Sequence, residues 1–193
     1  MKILPKRIAD QMLLALDNLS FCELVCDFLQ EHGDAPIPTK VVMHGLSRSV
    51  AIPGESCGFI TTPIIHSAIL DIRRILPFLG LKYNLKEGLF SAMSAPEWKD
   101  DYWIGDLGIS PVTPEEIDAV SKAICGRPAL GVLSEILIYS NKQLAHFSKV
   151  DLDENRILET LKLSSRLIIN AVMIFVYDSI GEARPKLHLI NER

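Results

Sequence analysis

The sequence predicts a mainly α-helical fold, an up-and-down helical bundle with at most a small hairpin. Three observations favour this fold class: an apolar stripe with helical spacing over residues 6–31, a proline-and-glutamate helix start in the middle of the chain, and a long apolar segment near its end. The chain has 193 residues, of which 48% are hydrophobic and 23% charged, which is typical of a folded domain with a substantial core. We therefore predict a single domain over residues 1–193, with loop or insertion regions near 33–61 and 82–112.

The first helix is predicted over residues 6–31. Apolar side chains recur there at spacings of three and four, as a helix with one buried face requires; they include Ile8, Met12, Ala15, Leu16, Leu19, Cys22, Leu24, Val25 and Phe28. Gly33 and two prolines follow, and we expect them to end the helix because proline has no backbone N–H to donate. Cys22 and Cys26 lie one turn apart in the stripe, and we interpret them as buried core thiols.

A second helix is predicted over residues 63–76, after a segment from 41 to 60 that we expect to form a loop or a small hairpin. That segment is rich in glycine and proline between short β-branched runs. Thr62 can cap the helix and Pro63 can occupy its first position, where the missing N–H costs no hydrogen bond. Pro77 is expected to close the helix.

Residues 82–110 are rich in glycine, charge and aromatic side chains, which predicts an irregular insertion. Long loops in compact domains are commonly functional, so a lid or a partner surface is one interpretation. We favour a second one, in which Trp98 and Trp103 cover the edge of the core. The acidic residues of this loop match neither the spacing of a calcium loop nor a fixed helical face, so we interpret them as solvated.

Two further helices are predicted over residues 114–124 and 128–145. Thr113 can cap the first of them while Glu116 reaches back to close a capping box. The Gly126–Pro128 segment interrupts the helical pattern, so we expect two helices or one sharply kinked helix.

The last helix is predicted to begin at a cap formed by Asp151, with Glu154 three residues later, and to run through Phe175. Its longest apolar run, Leu167–Val176, is interrupted by Asn170 and is shorter than the roughly 20 residues of a membrane span. We therefore predict a buried helix and no membrane partner.

The formal net charge is −4 and the sequence pI is about 5.7, so any contact with nucleic acid must be local. The four cysteines have the spacing of neither a disulfide framework nor a metal site. The basic N-terminus lacks the apolar segment of an export signal. We expect a cytoplasmic protein without a cofactor or a bound metal.

A polar cluster lies between the two long C-terminal helices, and it consists of Tyr139-Ser140-Asn141-Lys142-Gln143-Leu144-Ala145-His146-Phe147. An Asn-Lys-x-x-Ala-His sequence at the end of one long helix, followed closely by a freshly capped one, resembles the HEPN superfamily of helical bundles. It is similar in particular to the abortive-infection-related members, which carry Arg-Asn-Lys-x-x-Ala-His. Ser140 stands where that family has its arginine. The resemblance covers residues 128–180.

The resemblance implies a metal-independent ribonuclease site that is shared between the protomers of a homodimer. His146 would be the general acid or base and Asn141 would orient the phosphate, whereas Ser140 supplies no positive charge. Lys142 lies four residues before His146 and could supply the missing cation if the helix continues.

Arg73 and Arg74 on the second predicted helix are another candidate source of positive charge, for RNA binding. Arginine offers a permanent, planar charge to phosphoryl oxygens. The alternative, which we favour, is a solvated helix face on which the arginines pair with Asp71.

These observations lead to three functional hypotheses. The first is a HEPN-like intracellular protein of a defence or toxin–antitoxin system that cleaves or binds RNA, with a cognate antitoxin or regulatory protein as a further partner. The second is a non-catalytic interaction or regulatory module, which Ser140 and the acidic pI favour. The third is a small-molecule or nucleotide site between helices, which helical bundles commonly form.

Overall fold

The computed structural model describes residues 3–32, 39–43, 48–52, 58–96, 99–141 and 154–187. In these ranges the chain forms five α-helices and two small antiparallel hairpins, which confirms the mainly α-helical fold. The helices are α1 (Lys6–His32), α2 (Gly58–Phe78), α3 (Pro114–Cys125), α4 (Ala129–Tyr139) and α5 (Glu154–Val172). The hairpin strands are β1 (Thr39–Met43) with β2 (Arg48–Ile52), and β3 (Leu81–Asn84) with β4 (Leu89–Ala92). The single-domain organisation stays a prediction.

Helix α5 is the centre of the bundle, because it contacts each of the other four helices. It runs antiparallel to α1, as two ion pairs between these helices show. The Arg166 guanidinium Nε donates to the Glu23 carboxylate at 2.6 Å, and Lys162 pairs with Asp27 one turn away. Burial of Glu23 raises the pKa of its carboxyl, and the neighbouring guanidinium of Arg166 opposes that rise.

The core draws fully buried side chains from all five helices. They include Leu16, Leu19, Ile69, Ile72, Ile117, Leu133, Ile136, Leu161 and Leu167. The predicted stripe of the first helix therefore faces the core, and Cys22 and Cys26 are buried within it as expected. One polar group inside the core has a backbone partner: the Ser164 hydroxyl donates to the Val132 carbonyl at 2.9 Å.

One helical segment in the described ranges, Arg156–Asp178, has the length and mean hydropathy of a membrane span, 23 residues and 1.4. A core helix meets the same criterion, and 67% of the apolar window of this segment is buried inside the protein. Asn170 interrupts the window and donates its side-chain amide to the Arg166 carbonyl at 2.9 Å. The prediction of a buried helix over Leu167–Val176 is confirmed.

The capping box predicted at the start of α3 is present. The Thr113 hydroxyl accepts from the Glu116 backbone N–H at 3.2 Å, and the Glu116 carboxylate accepts from the Thr113 N–H at 2.8 Å. The Asp118 carboxylate of α3 then accepts the Ala129 N–H at 2.8 Å and so caps α4 from outside. A hydrogen bond from Lys122, together with this backbone bond, lowers the pKa of the Asp118 carboxyl.

The start predicted for the second helix is wrong. Helix α2 begins at Gly58, so Thr62 lies inside the helix instead of capping it, and Pro63 occupies its second turn. Pro63 lacks the backbone N–H that would bond within the helix, so α2 loses one hydrogen bond near its N-terminus and still forms.

The hairpin expected between residues 41 and 60 is present as β1 and β2. A second hairpin, β3 and β4, and a 3-10 turn at Ile104–Leu107 lie in the segment that we predicted to be irregular. Its cross-strand pair of Tyr83 and Phe90, with ring centroids 5.1 Å apart, supplies packing that short strands need.

Parts of the two C-terminal helix predictions fall outside the described residues. Helix α4 starts at Ala129 and the chain is described up to Asn141, so residues 142–145 of the predicted helix are not covered. The predicted cap at Asp151 also lies outside the described residues, whereas α5 is described from Glu154 onward.

Gly80 joins the end of α2 to two later segments. Its carbonyl accepts from the Met93 N–H at 2.7 Å, and the neighbouring Leu79 carbonyl accepts from the Val112 N–H at 2.9 Å. Its φ of +85° is strained for any side chain, and a Cβ built on it would lie 2.6 Å from the Cβ of Pro111. Only glycine fits between these segments.

Gly80→Ala is expected to lower the free energy of unfolding by about 3 kcal/mol, because backbone strain and a steric clash act together. Gly88→Ala is the matched control: φ is +67° there, but nothing lies within 4 Å of the added Cβ. The control should lose about 1 kcal/mol through strain alone. Urea denaturation measures both, and equal losses would contradict the close packing of Gly80 on Pro111.

Candidate functional site

Ser140 lies directly after α4, in a turn of π-helix that also includes Asn141. Its side chain is 0% exposed. Its hydroxyl oxygen has no hydrogen-bond partner among the residues that the structure describes. The residue at the family's arginine position is therefore inside the protein, without solvent access.

Asn141 is half-buried, and its side-chain amide donates to the Leu137 carbonyl at 3.0 Å. The Ser140 backbone N–H donates to the same carbonyl. The Asn141 side chain keeps a second N–H and its own carbonyl oxygen, so its phosphate-orienting role stays a prediction.

His146 and Lys142 lie outside the described residues. Their predicted roles as proton-transfer group and substitute cation stay predictions. The structure therefore describes two of the four motif residues. The Ser140 side chain is buried, and the Asn141 side-chain amide bonds to the Leu137 carbonyl.

Arg73 and Arg74 are exposed on α2. Arg74 Nη1 lies 3.7 Å from Asp71 Oδ1, the pairing that we expected of a solvated helix face. Both arginines also line a cleft of about 660 Å³, which the sequence did not indicate. That size lies within the usual range for small-ligand sites.

The cleft lies between the first turns of α1, the last turns of α2, Pro96 and the segment 100–103. Its position follows from the packing of the helices. Asn18 of α1 donates to the Asp71 carboxylate at 2.7 Å and to the Ser67 hydroxyl at 3.0 Å, which joins α1 to α2. Toward the start of α1, Arg7 lines the cleft together with Phe78 at the end of α2, so the two helices run antiparallel.

Two aromatic residues complete the cleft wall. The Tyr102 ring stacks on Phe78, with centroids 6.3 Å apart and planes at 21°. The Trp103 ring packs directly on Gly105, where an added Cβ would lie 2.4 Å from the ring. The Trp103 backbone N–H donates to the Asp106 carboxylate at 3.0 Å, which anchors this aromatic residue at the start of the 3-10 turn.

Trp103 is half-buried, and Trp98 lies outside the described residues. We interpreted both tryptophans as side chains that cover the edge of the core. Trp103 also lines the cleft. Sequence reasoning missed Arg7 and Tyr102 altogether. The basic start of α1, with no acidic residue in its first turn, was the one local signal that could have pointed to Arg7.

Asp71 is a largely buried carboxylate at the floor of the cleft. Burial raises the pKa of its carboxyl, while the hydrogen bond from Asn18 and the charge of Arg74 oppose the rise. The Asp71 carboxylate therefore mainly accepts the hydrogen bond that joins α1 to α2.

The buried thiols offer no second site. The side-chain hydrogen bond with Cys26, followed by burial, raises the pKa of the Cys22 thiol, so that it stays neutral and inert. Among the described residues, no group of three histidine, cysteine, aspartate or glutamate side chains is placed to hold a metal ion.

No family model, no curated protein and no solved structure matches this chain. The HEPN resemblance stays a prediction that rests on residues 140–146.

Ser140→Ala is expected to raise the free energy of unfolding by about 1 kcal/mol, because it removes a buried hydroxyl without a hydrogen-bond partner. Ser164→Ala is the matched control. That serine is equally buried, but its hydroxyl donates to the Val132 carbonyl, so its loss should cost about 1 kcal/mol. Thermal unfolding of both variants checks the sign. A destabilised Ser140→Ala would mean that the hydroxyl is paired in the native protein.

Asp71→Asn is expected to gain stability relative to the wild type as the pH rises from about 3 to about 7. The raised pKa means that the folded protein holds this proton more tightly than the unfolded chain does. The stabilising contribution is thus complete below the ordinary pKa of 3.8 and is lost as the pH rises through the folded value.

Asp178→Asn should show the opposite trend, since the hydrogen bond from Arg184 lowers the pKa of the Asp178 carboxyl. Urea denaturation at several pH values measures the difference between each variant and the wild type. The same trend in both variants would refute the raised pKa of Asp71.

Proposed function

We propose that this chain is a HEPN-like regulatory module that recognises a protein partner and does not itself cleave RNA. The observation that carries the proposal is the burial of Ser140 at the position where ribonucleases of that family carry an arginine. A buried hydroxyl brings no positive charge to a scissile phosphate. The charge that develops during phosphodiester cleavage would lack its main stabilising group.

Two further observations support recognition over catalysis. The Asn141 side-chain amide already donates one N–H to the Leu137 carbonyl, which limits the orientations in which it can meet a substrate. The net charge of −4 gives the whole molecule no attraction to a polyanion. In this proposal the chain forms a homodimer and belongs to a defence or toxin–antitoxin system. A cognate antitoxin or regulatory protein binds that homodimer.

The ribonuclease hypothesis needs another cation near His146. Arg73 and Arg74 would be candidates, but they line a cleft with α1 and the segment 100–103, and no described residue of α4 lines that cleft. Lys142 is the remaining candidate from the motif itself.

The test is incubation of the purified chain with labelled single-stranded RNA in the presence of EDTA. We expect no cleavage above background, and no difference between the wild type and His146→Ala, because the site lacks the family's cation. Cleavage that His146→Ala abolishes would refute the proposal and support a metal-independent ribonuclease.

His66→Ala is the control for a general effect of removing a histidine, and circular dichroism checks that each variant keeps its helices. Ser140→Arg is a poor test of the same question. It would place a guanidinium at a position that is 0% exposed, so a loss of folding would be confused with a lack of activity.

A further inference from the structure

The cleft between α1, α2 and the segment 100–103 is lined by three kinds of side chain. Arginines come from both helices, aromatic rings come from the segment after β4, and carboxylates lie on the same segment. Each kind recognises a different part of one class of ligand.

The arginines suit a phosphate group. Arg7 comes from the first turn of α1, and Arg73 and Arg74 come from the last turns of α2. Arg7 and Arg73 form no ion pair with any residue in the described ranges, so their guanidinium groups are available for bidentate contacts to phosphoryl oxygens. The pair of Arg74 with Asp71 is long, at 3.7 Å, and a ligand phosphate could compete for it.

The aromatic residues suit a planar base. Trp103 is held in place by its contact with Gly105 and by its backbone bond to Asp106. Its neighbour Tyr102 is held by stacking on Phe78. Rings that are fixed before binding lose little conformational freedom when a base stacks on them.

The carboxylates suit the ribose. Asp100 and Asp101 are exposed at the cleft, next to the aromatic pair in sequence. A carboxylate can accept hydrogen bonds from the 2′- and 3′-hydroxyls of a ribose, as acidic residues do in dinucleotide sites. Asp71, Asp100 and Asp101 balance the formal charge of the three arginines, so the cleft as a whole carries no net formal charge.

We propose that this cleft binds a ribonucleotide unit, with its phosphate on Arg7 and Arg73, its base on Trp103 and its ribose near Asp100 and Asp101. The unit is either a free ribonucleotide or the terminal nucleotide of an RNA. The inference stands on the cleft alone and does not depend on the proposed function, because none of the residues of the 140–146 motif takes part.

The experiment is isothermal titration calorimetry of the full chain with AMP, with GMP and with inorganic phosphate. We expect at least one nucleotide to bind at least about tenfold more tightly than phosphate, because base stacking adds to the phosphate contact. Equal affinity for phosphate and both nucleotides would overturn the proposal, as would an absence of binding.

Arg73→Ala should weaken nucleotide binding about tenfold or more through loss of the charged contact. Arg127→Ala is the matched control, since it removes an exposed arginine that does not line the cleft, and it should bind as the wild type does. Arg73 is exposed, so its removal leaves the core intact and thermal unfolding should be unchanged. Wild-type affinity in Arg73→Ala would overturn the proposal.

Trp103→Leu should weaken binding about tenfold, and Trp103→Phe should restore most of the affinity, because phenylalanine keeps a ring for stacking. Equal affinity in the Leu and Phe variants would refute the stacking contact. If the Leu variant fails to fold, Arg73→Ala still decides the question.

A pair of RNA hexanucleotides, with and without a 5′-phosphate, separates the two sources of the ligand. Tighter binding of the phosphorylated hexamer than of AMP assigns the site to an RNA terminus. Tighter binding of AMP or GMP assigns it to a free nucleotide. Neither result depends on the RNA-cleavage assay, so the two proposals can fail separately.

Discussion

The packing of α5 against the other four helices is the constraint on which the rest of the structure depends. Its apolar face supplies the centre of the core, and its polar residues set the register with α1. Arg166 meets Glu23, and Lys162 meets Asp27. A partly buried carboxylate such as Glu23 is costly without its partner, so a shift of α1 along α5 would leave a charge unpaired. The ion pairs therefore hold α1 in one position.

That register has a consequence at the other end of α1. With α1 held antiparallel to both α5 and α2, its first turn lies beside the last turns of α2. After α2, the Gly80 carbonyl accepts from the Met93 N–H and the Leu79 carbonyl accepts from the Val112 N–H, so the chain on both sides of residues 99–103 is tied to the end of α2. The cleft with Arg7, Arg73 and Trp103 thus depends on the packing of α1 on α2. Its residues and those of the 140–146 motif belong to different elements.

The two candidate sites differ in what they offer a ligand. At the motif, the Ser140 side chain is buried, and the Asn141 side-chain amide donates to the Leu137 carbonyl. In the cleft, arginine and aromatic side chains are accessible to a ligand, and the aspartate carboxylates offset the positive charge of the arginines. This contrast is the basis of our proposal of recognition over RNA cleavage. A protein with a net charge of −4 thus presents a local group of three arginines in one cleft.

The helical class, the stripe of α1, the capping box at Thr113 and the buried character of α5 were predictable from the sequence, because each depends on residues three or four positions apart. The sequence did not determine the start of α2, since the tolerance for Pro63 inside a helix depends on the surrounding structure. The burial of Ser140 and the cleft shared by Arg7, Arg73 and Trp103 became visible in the folded protein alone. Those residues are far apart in the chain, and no local pattern records contacts that arise from the packing of whole helices around α5.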